Sequence, residues 1–401
     1  MALSVCSADR QTPPPLDAAV DAARAAEEVA EVADRLDTET GEDQVRQEAP
    51  PRLGPPSPDK VTVPSVEGPI TTGKGHIVLM PPTFDLAKVG YLEEEFFISG
   101  EATSYSSEVD LAEDGFWDAL PHASAPFATR IVVRRPAAAS SFDGTVVVEW
   151  LNVSGGMDAA PDWTFMHNQI VRTGSVWVGV SVQEAGVKGT GNSMGALFAL
   201  KNADPVRYDP LEHPGDDFSY DIFTQAGAAV WFAPDVVLGG LEPELVIAVG
   251  ESQSAFRLTT YVNAVHPLVD AYDGYLVHSR GAKGAPLVAG TPAPDPTFSR
   301  TDLEVPVLVL SSETDLVGSM LGYGRARQPD GQWFAGWEVA GSAHVDAYGL
   351  GIGDNDDGSG AADIALFDAM LAPPSTLYFG VIECGLPLNS GPPTHVARAA
   401  L

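Results

Sequence analysis

The segment Gly250-Glu251-Ser252-Gln253-Ser254 directly follows the apolar run Leu245-Val246-Ile247-Ala248-Val249. A buried strand that ends in Gly-x-Ser-x-small and turns at once into a helix is the pattern of a nucleophile elbow, where a strained serine presents its hydroxyl. The residues two before and two after that serine must be small. Gly250 and Ser254 meet the demand, with a serine standing where a second glycine is usual. Residues 255–262 read as a helix whose N-terminal N–H groups would point at Ser252. The chemistry this suits is attack on an electrophilic carbonyl. A serine hydroxyl is a poor nucleophile at neutral pH, so it needs a histidine to take its proton and a carboxylate to orient that histidine.

Two further strand ends supply them. Val307-Leu308-Val309-Leu310 leads into Ser311-Ser312-Glu313-Thr314-Asp315, and Trp337-Glu338-Val339 leads into Ala340-Gly341-Ser342-Ala343-His344. In open α/β sheets the carboxyl ends of the strands form the edge where ligands bind. His344 is the expected base. Only His344 and His395 follow Asp315, and His395 lies in an irregular Pro-rich stretch. His278 also ends a strand-like run, but it precedes the acid. Asp315 has the usual spacing from its strand and is the favoured acid, while Glu313 is close enough to serve. An oxyanion needs two N–H donors: Gln253, next to the serine, and Val153 or Asn152 in the loop Asn152-Val153-Ser154-Gly155-Gly156.

These residues need a sheet to hold them. Segments 77–80, 94–99 and 129–134 read as strands of an N-terminal antiparallel section. The Val-rich run from Gly144 to Asn152 resembles a strand buried on both faces. A helix over about 162–172, a strand over 175–182, a polar Gly-rich stretch over 186–215 and a helix over 220–231 follow. Strand-like runs at 245–249, 272–278, 306–310 and 337–339 complete the pattern. Alternating strands and helices imply a mostly parallel central sheet flanked by helices, an α/β fold. The stretches 183–220 and 280–304 are candidate lid or loop insertions. Residues 1–60 differ: Pro13-Pro14-Pro15, an Ala/Glu/Asp-rich helical stretch over about 16–36 and the Pro-rich run 50–58 bury little, so 1–60 reads as a tail and 61–401 as the folded domain.

Composition narrows the partners. With 55 acidic and 22 basic residues the formal net charge is −33, which repels nucleic acid and anionic membranes. The expected partner is a small molecule. Apolar residues at 44%, with seven Trp and sixteen Phe, suffice for a large core. The two cysteines, Cys6 and Cys384, suggest neither a structural disulfide nor a zinc site, and no metal or cofactor is expected. No apolar run approaches the ~18–20 residues of a membrane span. The first residues lack a basic segment and a continuous apolar one, so a cytoplasmic location is the expectation. Gly186-Val187-Lys188-Gly189-Thr190-Gly191 lacks both the dinucleotide and the phosphate-loop spacing, and Asp354-Asn355-Asp356-Asp357-Gly358 lacks EF-hand spacing and reads as a solvated loop.

Three phrases are more specific than the elbow alone. They are Val148 to Gly156, the block Asp204-Pro205-Val206-Arg207-Tyr208 with His213 to Asp221, and Gly250 to Arg257 through His278-Ser279-Arg280-Gly281. Together they resemble the bacterial "alpha/beta hydrolase domain" family over roughly residues 61–400. The resemblance implies an α/β-hydrolase fold and a serine-hydrolase mechanism on Ser252, an acid at Asp315 or Glu313, and His344, without naming a substrate. It also implies a Trp-bearing helix after the segment Cys384 to Asn389, which this 401-residue sequence would hold only in reduced form. The expected function is cleavage of a carboxylic ester by way of an acyl-enzyme. An acyltransferase would use the same residues, and a non-catalytic binding protein on this fold would usually have lost one of them.

Overall fold

Val146 to Trp150 is fully buried, as a strand covered on both faces must be, and the sheet grows from it in both directions. The computed structural model describes residues 54–190, 194–318, 321–377, 382–383, 387–391 and 393–401. The expected helix over 16–36, most of the expected tail and both cysteines lie outside the described residues.

The strands are β1 (Ser65–Glu67), β2 (Tyr91–Ser106), β3 (Leu120–Pro136), β4 (Thr145–Trp150), β5 (Val176–Val180), β6 (Leu245–Glu251), β7 (Gly274–His278), β8 (Val307–Ser312) and β9 (Phe334–Val339). They form one sheet in the order β1-β2-β3-β5-β4-β6-β7-β8-β9. Strands β1 to β3 pair antiparallel, β3 meets β5 antiparallel, and every pair from β5 across to β9 is parallel. Helices α1 (Pro161–Thr173), α2 (Ser219–Phe232), α3 (Gln253–Thr260), α4 (Glu313–Val317), α5 (Ala361–Leu371) and α6 (Pro393–Ala400) accompany it.

Alternation along β4 divides the core. Val146, Val148 and Trp150 pack with Tyr220 and Phe223 of α2 and with Ala255 and Leu258 of α3. Val147 faces the other way, toward Trp163, Met166 and Ile170 of α1, Leu366 of α5 and Ala397 of α6. The sheet is therefore covered on both faces, and its parallel strands all end at one edge. No helix among the described residues is long and apolar enough to cross a membrane.

One expected strand is absent. Of residues 77–80, only Met80 bridges to another segment, at Ala159. Pro81 and Pro82 follow at once and have no N–H to donate, so the ladder cannot propagate. The loop at 354–358 is also less solvated than expected. Asp356 is buried and accepts from Tyr348 Oη at 2.8 Å and from Arg398 of α6 at 3.0 Å, which ties α6 to the body of the fold.

A buried cation fixes the loop that follows β4. Arg130 on β3 is fully buried and donates to Glu95 on β2 and to Asp158, both at 2.9 Å, and to Ser181 Oγ at 2.8 Å. Removing one member of a buried ionic set strands the others in a medium that solvates charge poorly. Arg130→Met should lower stability by about 3–5 kcal/mol, a loss typical of breaking a buried pair, and read as a lower urea midpoint. The segment 280–304 carries no helix or strand but is well anchored. Arg280, fully buried, donates to Thr297 O at 2.5 Å, while Tyr220 Oη donates to Pro286 O at 2.7 Å.

Candidate active site

The turn between β6 and α3 has the conformation its sequence demands. Ser252 sits at φ 56°, ψ −114°, a region that costs a non-glycine residue steric energy. Its own N–H donates to His278 O on β7 at 2.9 Å, and its carbonyl accepts from Phe256 N–H at 3.2 Å, so the chain enters α3 immediately. A Cβ added at Gly250 would lie 3.3 Å from the backbone and Cβ of Ser254. That contact explains why both positions are small. Gly250→Val should push the elbow apart at a cost of about 1–3 kcal/mol, seen as a lower thermal midpoint.

The hydroxyl of Ser252 lies 2.8 Å from His344 Nε2, and His344 Nδ1 lies 2.7 Å from Asp315 Oδ1. Three strand ends thus converge, from β6, β8 and the loop after β9. Asp315 is fully buried in the first turn of α4, where it forms a capping box with Ser312. Its Oδ2 accepts from Ser312 N–H at 2.7 Å, leaving Oδ1 for the imidazole. The other acid, Glu313, is turned to a different task and accepts from Gly341 N–H at 2.8 Å on the surface. His344 N–H donates to Thr314 Oγ1 at 2.7 Å, so α4 steers both the acid and the loop that carries the histidine.

Of the two candidates in the loop after β4, Asn152 has its N–H committed to Ala159 O at 2.8 Å. Among the described residues the N–H groups of Val153 and Gln253 donate to no protein acceptor. Asn152 instead uses its side chain: Oδ1 accepts from Ser154 N–H at 2.8 Å and Nδ2 donates to Glu251 O at 3.0 Å. That second bond holds the loop against the residue just before Ser252.

The family described as "Alpha/beta hydrolase domain" matches residues 66–401. The chain belongs to this family. Solved structures similar to this chain include an α/β serine hydrolase without lid from Xanthomonas campestris, at 11% identity, covering 61% of this chain and 85% of that one, TM-score 0.31. Another is one of two fungal esterases from Rhizomucor miehei, at 12% identity over 60% and 74% of the two chains, TM-score 0.31. A glucuronoyl esterase from Solibacter usitatus is 11% identical over 69% and 81%, TM-score 0.32. No curated protein matches the chain by sequence. The strand order and the family match carry the fold assignment, not these distant likenesses.

Electrostatics follow from burial and pairing. Burial disfavours the imidazolium of His344, but the hydrogen bond to Asp315 and the charges of Glu251 and Asp315 outweigh it and raise His344 from 6.5 to about 9. Burial alone would raise Asp315, yet the bonds from His344, Ser312 N–H and Ser279 hold it below the ordinary carboxylate value.

Two groups of the candidate site were missed from the sequence. Glu251, at the end of β6, is buried with Oε1 3.5 Å from His344 Nε2, on the same side as the serine hydroxyl. Its position as the variable residue of Gly-x-Ser was the signal available. His278, set aside because it precedes the acid, pairs instead with Asp162 of α1 at 2.8 Å, with Phe165 edge-on against its ring. Asp162 is in turn next to Glu149, a fully buried carboxylate that caps α1 by accepting from Asp162 N–H at 3.0 Å and Trp163 N–H at 2.8 Å.

Proposed function

We propose that this protein is a serine esterase that cleaves a carboxylic ester of a small molecule through an acyl-enzyme. The observation that carries the reading is the continuous hydrogen-bonded chain from Ser252 Oγ through His344 to Asp315. In the proposed mechanism Ser252 Oγ attacks the ester carbonyl as its proton passes to His344 Nε2. Asp315 keeps the Nδ1 proton in place and stabilises the imidazolium. The N–H groups of Gln253 and Val153 receive the oxyanion. His344 then protonates the departing alcohol, and water activated by the same imidazole hydrolyses the acyl-serine. These steps draw on this chain's side chains and main-chain N–H groups.

The reading is tested with a fluorophosphonate probe and with p-nitrophenyl esters of increasing acyl length. Labelling of the wild type together with turnover of short esters is expected. A folded wild type that neither labels nor turns over would overturn it in favour of a binding role. A substrate of the nucleic-acid class is disfavoured by the net charge of −33.

A further inference from the structure

A serine hydrolase of this design needs one carboxylate on its histidine, at Nδ1. This site has two. Asp315 Oδ1 is 2.7 Å from His344 Nδ1, and Glu251 Oε1 is 3.5 Å from His344 Nε2, the nitrogen that faces Ser252 Oγ. The Glu251 side chain is held there by Asn152 Nδ2, which donates to its Oε2 across 3.3 Å and to its main-chain oxygen at 3.0 Å. It has little room to leave, being 6% exposed.

We propose that Glu251 is a positioning residue acting through His344: its carboxylate faces the proton-accepting nitrogen and favours the charged imidazole there. This inference rests on the esterase reading given above and concerns the regulation of the same site. The physics is a matter of sign. A neutral imidazole turns a lone pair toward Glu251, whereas an imidazolium turns an N–H toward it. An anionic Glu251 therefore stabilises the charged form, both in the resting enzyme and in the transition state, where the serine proton has moved onto Nε2.

The surroundings are consistent with a carboxylate that titrates in the working range. Burial pushes Glu251 up to about 7, against the opposing pull of His344 and His278 and with the added repulsion of Asp162 and Asp315. His344 itself faces Asp315 from α4 and Glu251 from β6. On the far side of Glu251, His278 of β7 is raised because its bond to Asp162, with the charges of Glu251 and Asp315, outweighs burial. Asp346 also faces His278 and is pushed up to about 6, chiefly by burial. Above neutral pH Glu251 is thus an anion beside an imidazole that would otherwise be neutral, and the two titrate as a pair.

The test is the pH dependence of kcat/KM on p-nitrophenyl acetate for the wild type, Glu251→Gln and Glu251→Asp. The wild type is expected to gain activity through a limb near pH 9. In Glu251→Gln that limb should move toward acid by about one unit or more, the size expected when an opposite charge within 4–6 Å is removed. The plateau rate above it should fall. Glu251→Asp keeps the charge and should keep the limb within about half a unit of the wild type; a shift in the glutamine variant without one in the aspartate variant is a split that a purely structural role would not produce. A second readout needs no turnover: the His344 ring titrated by NMR in Ser252→Ala, with and without Glu251→Gln. A His344 midpoint that Glu251→Gln leaves in place would overturn the inference. Labelling of Ser252 by fluorophosphonate with an unshifted limb would sink this inference alone. Absence of labelling at every pH would sink the esterase reading, with the NMR comparison still deciding the role of Glu251.

Discussion

Ser252→Ala should fold with an unchanged thermal midpoint, lose fluorophosphonate labelling and lose ester turnover by about 10⁴–10⁶-fold. Two features set that size. In the proposed mechanism the nucleophile and its base act as a unit, so removing the attacking atom would forfeit the His344 and Asp315 contributions as well. What remains is whatever the N–H groups of Gln253 and Val153 and the bound geometry give to water attack, a residue of about 10³–10⁴ over the uncatalysed rate. Stability should hardly change, because alanine fits the space of serine and the hydroxyl's partner is His344, which stays partly solvent-accessible. Relief is not expected either. Alanine bears a Cβ as serine does, so the φ of 56° stays strained, held by the Ser252 N–H to His278 O bond and by the immediate start of α3. A Ser252→Ala protein that still turns over esters at a tenth of the wild-type rate would move the nucleophile elsewhere.

The strand-end positions of Ser252 and Asp315 were legible because Leu245–Val249 and Val307–Leu310 are uninterrupted apolar runs, and that of His344 from the shorter strand-like run Trp337-Glu338-Val339; such runs become parallel strands whose ends share an edge. Neighbour relations across the sheet were not. Nothing in the sequence says that β6 lies between β4 and β7, and that order alone brings Asn152 to Glu251 and the His278 carbonyl to the Ser252 N–H. The pairing of His278 with Asp162 fails to show for the same reason, since 116 residues separate the two. Residues 77–80 misled because four apolar residues satisfy a strand pattern, while the prolines after Met80 decide against it. The choice between Asn152 and Val153 depended on the return of the loop to Ala159, which occupies one N–H and leaves the other.

The choice between Glu313 and Asp315 had a readable signal of its own. Ser312-x-x-Asp315 is the capping-box spacing, which makes Ser312 the N-cap of α4 and folds the side chain of Asp315 back toward the strand end. Glu313, at the first helical position, points outward to Gly341. A paired experiment separates the two. Asp315→Asn is expected to lower kcat/KM by about 10⁴-fold, because one amide oxygen cannot accept from both Ser312 N–H and His344 Nδ1–H. If the oxygen keeps the cap, the amide NH₂ faces Nδ1, and the imidazole is driven to the tautomer that carries its proton on Nε2, where it cannot accept one from Ser252. Glu313→Gln keeps an oxygen for Gly341 N–H at an exposed site, and its rate should stay within about threefold of wild type. The ratio of the two losses is the quantity to measure, in one assay at one pH. A larger loss from Glu313→Gln would mean that the working enzyme rearranges the loop after β9 so that the histidine meets a different acid.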